Sequence, residues 1–449
     1  MDVLRDAAER SIAYRERLER RPVAPDPAAL AGLGALDIPF PDASLGAAEV
    51  LAELDRIGSP ATVATAGPRF FGFVIGGSLP AALGANWLAG AWDQNAGLWA
   101  ASPIAAQLEI VALRWLRTIV GLDETWGGSI VTGATMANFT ALAAGRHAVL
   151  RQAGWDVERQ GLYGAPEITV LVGAEAHPTL TKSLGLLGLG RDRVVTLAVD
   201  AQGRVHPDSV PEVAGPALVC LQAGNINTGS FDPLRDIAGR VRGPGIWVHV
   251  DAAFGFWAAA SPSRAALLDG LELCDSLCTD AHKWLNVPYD CGVALVRDAE
   301  ALRRAMSFSV PYLPDSGRRE PSNYTPELSR RARGVELWAA LRSLGRAGLA
   351  DLVERCCRHA RRFAEGLSAA GFEILNEVCL NQVLVSFGTP AQTAEAIRLI
   401  QEDGTCWCGG TQWLGRTAMR ISVSSWATTD ADVERSLAVM IAAGRAATA

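Results

Sequence analysis

Of the 41 basic residues in the chain, two are lysines, Lys182 and Lys283, and the rest are arginines. A lysine kept against that bias is expected to do what a guanidinium cannot: lose its proton and condense with a carbonyl. Lys283 lies in Thr279-Asp280-Ala281-His282-Lys283-Trp284, and Asp251, 32 residues earlier, closes the apolar run Ile246-Trp247-Val248-His249-Val250. A carboxylate ending a strand, then a single lysine, is the pair that an aldehyde cofactor with a pyridine ring requires. The acid keeps the ring nitrogen protonated and the lysine binds the aldehyde covalently. These residues point to pyridoxal 5'-phosphate. Ala252-Ala253 leave space beside the acid for a flat ring; the plainer reading of Asp251 is a helix cap.

Other polar residues fall just after apolar runs. Thr132-Gly133-Ala134-Thr135-Met136-Ala137-Asn138 joins a strand to a helix, where small residues and a helix N-terminus suit a phosphate, although many strand–turn–helix units need a glycine there for the turn alone. The segment matches neither the nucleotide P-loop nor the dinucleotide Gly-x-Gly-x-x-Gly pattern. His177 could stack on a flat ring or cap the helix beginning near Thr179. Asn225, in Gln222–Gly229, offers a short polar side chain at the same edge or simply belongs to a turn. His282 is a phosphate ligand or a packed polar residue. Arg420 lies inside the late apolar strand Ala418–Val423, where an unpaired guanidinium is expensive; a substrate carboxylate is favoured over an internal acid as its partner. Lys182 is expected to be a solvated residue on the helix behind His177.

These residues must be positioned by alternating strands and helices. Ser129–Val131, Ile168–Val172, Val194–Leu197, Ala217–Leu221, Ile246–Val250 and Gly292–Val296 are strand candidates separated by helical patterns, which predicts an α/β fold with a mostly parallel sheet. Sites in such sheets lie beyond the carboxyl ends of the strands. Residues 1–60 read as an N-terminal dimerising arm too thin to own a core, 61–300 as a large cofactor-binding domain, and 301–449 as a loop and small C-terminal domain. The loop, residues 311–326, carries four prolines and is expected to order on substrate binding.

Composition narrows the class. The 449 residues, 49% apolar and 20% charged, describe a globular chain of two domains sharing a core. A net charge of −7 without a basic cluster argues against nucleic acid as a partner. Nine scattered cysteines and a charged, helical N-terminus suggest a reducing cytoplasm. Cys406-x-Cys408 lacks the companions of a metal site, so no metal is expected. Phe70–Trp92 contains no charge over 23 positions, but its five glycines, Pro80 and Asn86 argue for a buried loop and helix lining a site, not a membrane span.

Pro68-Arg69-Phe70-Phe71-Gly72-Phe73, Trp99-Ala100-Ala101-Ser102-Pro103, Ser230-Phe231-Asp232-Pro233, Asp275-Ser276 and His282-Lys283-Trp284 occur in an order that resembles the group II pyridoxal-phosphate decarboxylases, the family of the aromatic-amino-acid and glutamate decarboxylases. The resemblance implies pyridoxal-phosphate fold type I, aspartate-aminotransferase-like, with a smaller C-terminal α+β domain, and a homodimer. It implies Lys283 as the cofactor lysine, Asp251 on the ring nitrogen, His177 and Ala253 on the two ring faces, and Ala134, Thr135 and His282 on the phosphate. Arg420 would hold the α-carboxylate, and the proton for the α-carbon would come from Tyr324 of the loop, His177 or Lys283. Three stretches depart from the better-known members: Asn225-Ile226 replaces Thr-Thr, Gly76 replaces a threonine near the substrate, and Asp93-Gln94-Asn95-Ala96-Gly97 replaces apolar pocket residues. Gly76 and Asn95 are therefore read as substrate-binding positions, and the polar Gln94 and Asn95 hint at a polar or acidic substrate side chain. The implied reaction is α-decarboxylation of an L-amino acid to an amine. Aminotransferase, aldolase-type lyase and oxidative deaminase chemistry share every cofactor residue, and a catalytically silent binding homologue is the reading from another class.

Overall fold

The computed structural model describes residues 1–308 and 317–449. Its centre is a seven-stranded sheet of β1 (Gly127–Val131), β2 (Thr169–Gly173), β3 (Val195–Leu197), β4 (Ala217–Gln222), β5 (Ile246–Asp251), β6 (Ser276–Asp280) and β7 (Gly292–Val296), in the order β1-β7-β6-β5-β4-β2-β3. Strand β7 runs antiparallel to both neighbours, and the pairs from β6 to β3 are parallel. Six of these strands fall where the apolar runs predict them. The seventh, β6, is Ser-Leu-Cys-Thr-Asp, and its polar content hides it; all five residues are nevertheless buried.

Helices cover both faces, as a parallel sheet requires. On one side Ala134–Gln152, Pro178–Leu186 and Ala299–Met306 pack through alanine, leucine and valine. Small residues let the first of these lie close: a side chain at Gly145 would meet the Trp247 indole at 2.8 Å. On the other side the core runs without a break from the sheet through Leu116, Trp257 and the long helix Gly334–Ala369 into a second sheet. That sheet is antiparallel, built of β8 (Glu373–Ile374), β9 (Gln382–Ser386), β10 (Gly409–Trp413) and β11 (Arg416–Ser422) in the order β10-β11-β9-β8, with helices Pro390–Asp403 and Asp430–Thr448 against it.

The N-terminal helices Asp2–Arg17 and Pro27–Gly32 bury no residue, and Ala47–Ala61 buries Ile57 alone. Arg69 fastens this arm: its guanidinium donates to Glu19 O (2.9 Å), Thr405 O (2.7 Å) and Asp432 Oδ1 (2.9 Å). The segment 70–92 corrects its expectation in part. Residues 70–72 are buried, but the helix Pro80–Trp92 buries only Ala82 and Ala89 and exposes Trp87, Leu88 and Trp92. Among the described residues no helix is long and apolar enough to cross a membrane, and no cluster of metal-ligating side chains occurs. Of the proline-marked loop, residues 311–316 lie outside the described residues. Its later part is tied down: Glu109 pairs with both Arg319 and Arg330 at 2.9 Å.

Candidate active site

Lys283 follows β6 in a tight loop shaped by two neighbours. Asn286 has φ 58°, and its amide nitrogen donates to Trp284 O (2.7 Å) and Ser424 O (2.9 Å). Its amide oxygen accepts from Trp426 N at 2.8 Å, and its backbone oxygen from Leu79 N at 2.8 Å. Gly76 sits against the same loop: a Cβ there would stand 2.2 Å from Lys283 O. The glycine is thus required for backbone approach, which accounts for it without a substrate contact. The Lys283 ammonium lies 3.0 Å from Asp280 Oδ2. Burial lowers its pKa, but Asp280, then Asp251 and Cys278, outweigh burial and leave it raised.

Asp251 ends β5 and is buried. Oδ2 accepts from the amide of Asn138 at 3.0 Å, and Oδ1 from Ala253 N at 3.1 Å. The acid is therefore held at a strand end and does not cap a helix.

The helix Ala134–Gln152 begins beside it. Among the described residues no acceptor is bonded to the N–H of Thr135 or Met136, so two donors remain at this helix start. Asp280 Oδ1 takes the Ala134 N–H at 2.6 Å. His282 lines the same corner: a Cβ on Gly133 would stand 3.1 Å from its ring. Its Nδ1 accepts from Cys291 N (3.0 Å) and Tyr289 stacks on it. Burial, aided by Lys283, lowers the His282 pKa against the pull of Asp280 and Asp290.

Of its two readings, His177 fills the helix-cap one. Nδ1 accepts from Thr179 N (3.3 Å) and meets Thr179 Oγ1 (2.7 Å), capping the helix Pro178–Leu186. The ring still faces the charged cluster: burial lowers its pKa first, Lys283 and Arg420 lower it further, and Asp251 and Asp280 oppose them. The guanidinium of Arg420, on β11, makes no hydrogen bond or ion pair among the described residues, and burial lowers its pKa. Lys182 is exposed on its helix.

Three expected residues are occupied elsewhere. Asn225 accepts from Asn227 N (2.9 Å) and Thr228 N (3.2 Å) and donates to Glu175 O and Gln222 Oε1, so its side chain builds its own turn. Asn95 accepts from Gly97 N (3.0 Å) and Arg330 N (3.2 Å), and Gln94 donates to Trp92 O, which removes the support for a polar substrate side chain. Tyr324 lies in the 3-10 turn Pro321–Tyr324 with Arg319 4.3 Å above its ring, packed with Ala305 and Met306. Within the chain it shares no contact with Lys283, Asp251 or His177 among the described residues. Asp280 and Asn138, absent from the expected set, are the polar residues that organise the lysine and the acid.

Residues 33–389 match the model of the pyridoxal-dependent decarboxylase conserved domain. The chain belongs to the pyridoxal-dependent decarboxylase family. It is 28% identical to an aromatic-L-amino-acid decarboxylase of Bacillus atrophaeus over 67% of the chain and 62% of that protein. It is 31% identical to L-2,4-diaminobutyrate decarboxylase of Rhizobium meliloti over 77% of the chain and 71% of that protein. The chain thus spans less than two-thirds of the first relative's length. Its fold is that of Oryza sativa TDC, solved with PLP and tryptamine, with a TM-score of 0.90 at 24% identity over 99% of this chain and 97% of that one. The family's cofactor fits the residues present. The two N–H groups without an acceptor among the described residues suit a phosphate, Gly133 keeps the space beside His282 that a side chain would fill, and Asp251 is a buried carboxylate within reach of the lysine's charge with acceptor capacity left over.

Proposed function

We propose that this chain is a pyridoxal-phosphate-dependent carboxy-lyase that removes the α-carboxylate of an L-amino acid and releases an amine. The observation that carries the reading is a largely buried Arg420 whose guanidinium has no partner among the described residues, in the same charged cluster as His177, Lys283 and Asp251. When bound, pyridoxal phosphate supplies a conjugated, protonated ring that accepts the electron pair of the bond broken at the α-carbon. Asp251 would hold the ring nitrogen, Lys283 the aldehyde, and His177 and Ala253 the two ring faces. Ala134, Thr135 and His282 would hold the phosphate, with Asn225 supporting the loop behind it.

Arg420 offers a fork for the substrate carboxylate, and its burial makes that pairing stronger than it would be in water. Asp280 is the nearest acceptor for the proton that Lys283 Nζ must lose before it can react. The same ammonium, once reformed, is a proton source for the α-carbon. His177, neutral with Nδ1 accepting from Thr179, keeps a hydrogen on Nε2. Residues 61–300 act as the cofactor-binding domain and 301–449 as the smaller domain that brings Arg420.

The active species is a homodimer. Its support is the apolar surface that the arm leaves open at Leu4, Ile12, Leu30, Phe40 and Leu54, continued on the neighbouring helix by Trp87, Leu88 and Trp92. A reducing cytoplasm suits nine free cysteines, eight of them buried. A screen of amino acids for carbon dioxide release, with amine, keto acid and aldehyde assayed in parallel, tests the reading. Keto acid or aldehyde without amine would replace it with transamination or oxidative deamination.

A further inference from the structure

Behind Asp251 lies a run of buried polar side chains that the proposed reaction does not use. Asn138 donates through Nδ2 to Asp251 Oδ2 at 3.0 Å. Its oxygen lies 2.7 Å from His249 Nε2 and 3.0 Å from Cys278 Sγ. His249 Nδ1 lies 2.8 Å from Ser276 Oγ, which is also 2.8 Å from Trp247 Nε1. His249, Ser276 and Asn138 are fully buried.

The direction of every bond in this run is determined. A carboxylate only accepts, so the Asn138 amide must turn its nitrogen to Asp251 and its oxygen to His249. An oxygen acceptor obliges His249 Nε2 to carry the hydrogen. The imidazole is neutral, because burial pushes its pKa down to about 4 despite the opposing charge of Asp251. Nδ1 therefore accepts, the Ser276 hydroxyl donates, and its oxygen takes the Trp247 N–H. All four bonds run one way and end on the acid. Aligned bonds polarise one another in a low-dielectric interior.

We propose that Asn138 and His249 are positioning residues for Asp251, a one-way hydrogen-bond chain that fixes the orientation of the carboxylate that would face the ring nitrogen. This rests on the reading of Asp251 as the ring-nitrogen partner and deepens it. A chain serving only to satisfy buried polar groups would have no bearing on which ring is bound.

The test uses the full chain freed of cofactor and titrated with pyridoxal phosphate or with deazapyridoxal phosphate, in which C–H replaces the ring nitrogen. Tryptophan quenching gives two dissociation constants. Both probes carry the same aldehyde and phosphate, so the ratio of constants isolates the ring nitrogen. Asn138→Ala should cut the preference for pyridoxal phosphate by about tenfold, the size of a lost hydrogen bond to a charged group. His249→Leu should cut it by about threefold, and His249→Gln, which keeps an N–H for Asn138, should restore it to within about twofold. Should Asn138→Ala fail to fold, the His249 pair decides alone. Folded variants that weaken both probes alike would overturn the inference. Asp251→Asn is run alongside. If it abolishes the preference while the Asn138 and His249 variants keep it, this inference alone falls; if it too leaves the ratio unchanged, the ring-nitrogen reading falls with it.

Discussion

Lys283 Nζ lies 3.0 Å from Asp280 Oδ2, and the other oxygen of that carboxylate takes the Ala134 N–H at 2.6 Å. One acid therefore engages both the reactive lysine and the helix start proposed for the phosphate. Its charge raises the lysine's pKa and keeps the amine protonated. Capture of the aldehyde needs the neutral amine, so capture should speed up as pH rises. Removing the charge lowers the lysine's pKa, and Asp280→Asn should shift the capture profile to lower pH. At neutral pH the variant should capture pyridoxal phosphate about threefold faster or more, read by stopped-flow absorbance. An unmoved profile would deny Asp280 this role.

Borohydride reduction of the cofactor-loaded protein should label the peptide containing Lys283 and leave Lys182, exposed on its helix, unlabelled. Lys283→Ala should abolish the label altogether. Mass spectrometry reads both results, and a label on Lys182 would displace the central assignment.

Arg420 should separate binding from stability. Arg420→Lys replaces a planar fork with a point charge and should raise KM by about tenfold in a folded enzyme. Arg420→Met removes an unpaired buried charge and should stabilise the substrate-free protein by about 1 kcal/mol in urea unfolding. A destabilised methionine variant would mean that the guanidinium serves the fold.

Tyr324→Phe should keep kcat within about twofold of the parent, because the ring is held by Arg319 and not by the lysine cluster. A loss of a hundredfold would restore the phenol to the mechanism. The segment's other tyrosine, Tyr312, lies outside the described residues.

His249 should leave a trace in acid stability. An imidazole near 6.5 when unfolded and near 4 when folded binds its proton only on unfolding across that window. Its neutral form favours the fold fully above pH 6.5, and the advantage is lost as pH falls towards 4. The loss is about 3 kcal/mol. His249→Gln should flatten that part of the stability curve, and an identical slope in both proteins would show that the ring is not neutral.

Legibility in the sequence followed the range of the interactions. Strands such as Ile246–Asp251 stand out because their apolar runs are local, and Lys283 stands out because arginine fills nearly every other cationic position. Strand β6 and the residues Asp280, Asn138 and His249 do not. Their roles depend on partners far along the chain: 146 residues separate Ala134 from Asp280, and 113 separate Asn138 from Asp251. The opposite error arose at Asn95, where a polar side chain resembled a substrate contact but bonds Gly97 two positions on. Tyr324 likewise has a local partner, Arg319, five residues before it.

Asn286 gives the reactive lysine a mechanical address in both halves of the molecule. Its side chain and backbone join the Lys283 loop to Ser424 and Trp426 on one side and to Leu79 on the other. The C-terminal sheet and the lysine loop are thereby coupled like a hinge leaf and its pin. The loop that carries Lys283 and the segment that follows the strand of Arg420 are fastened to one side chain.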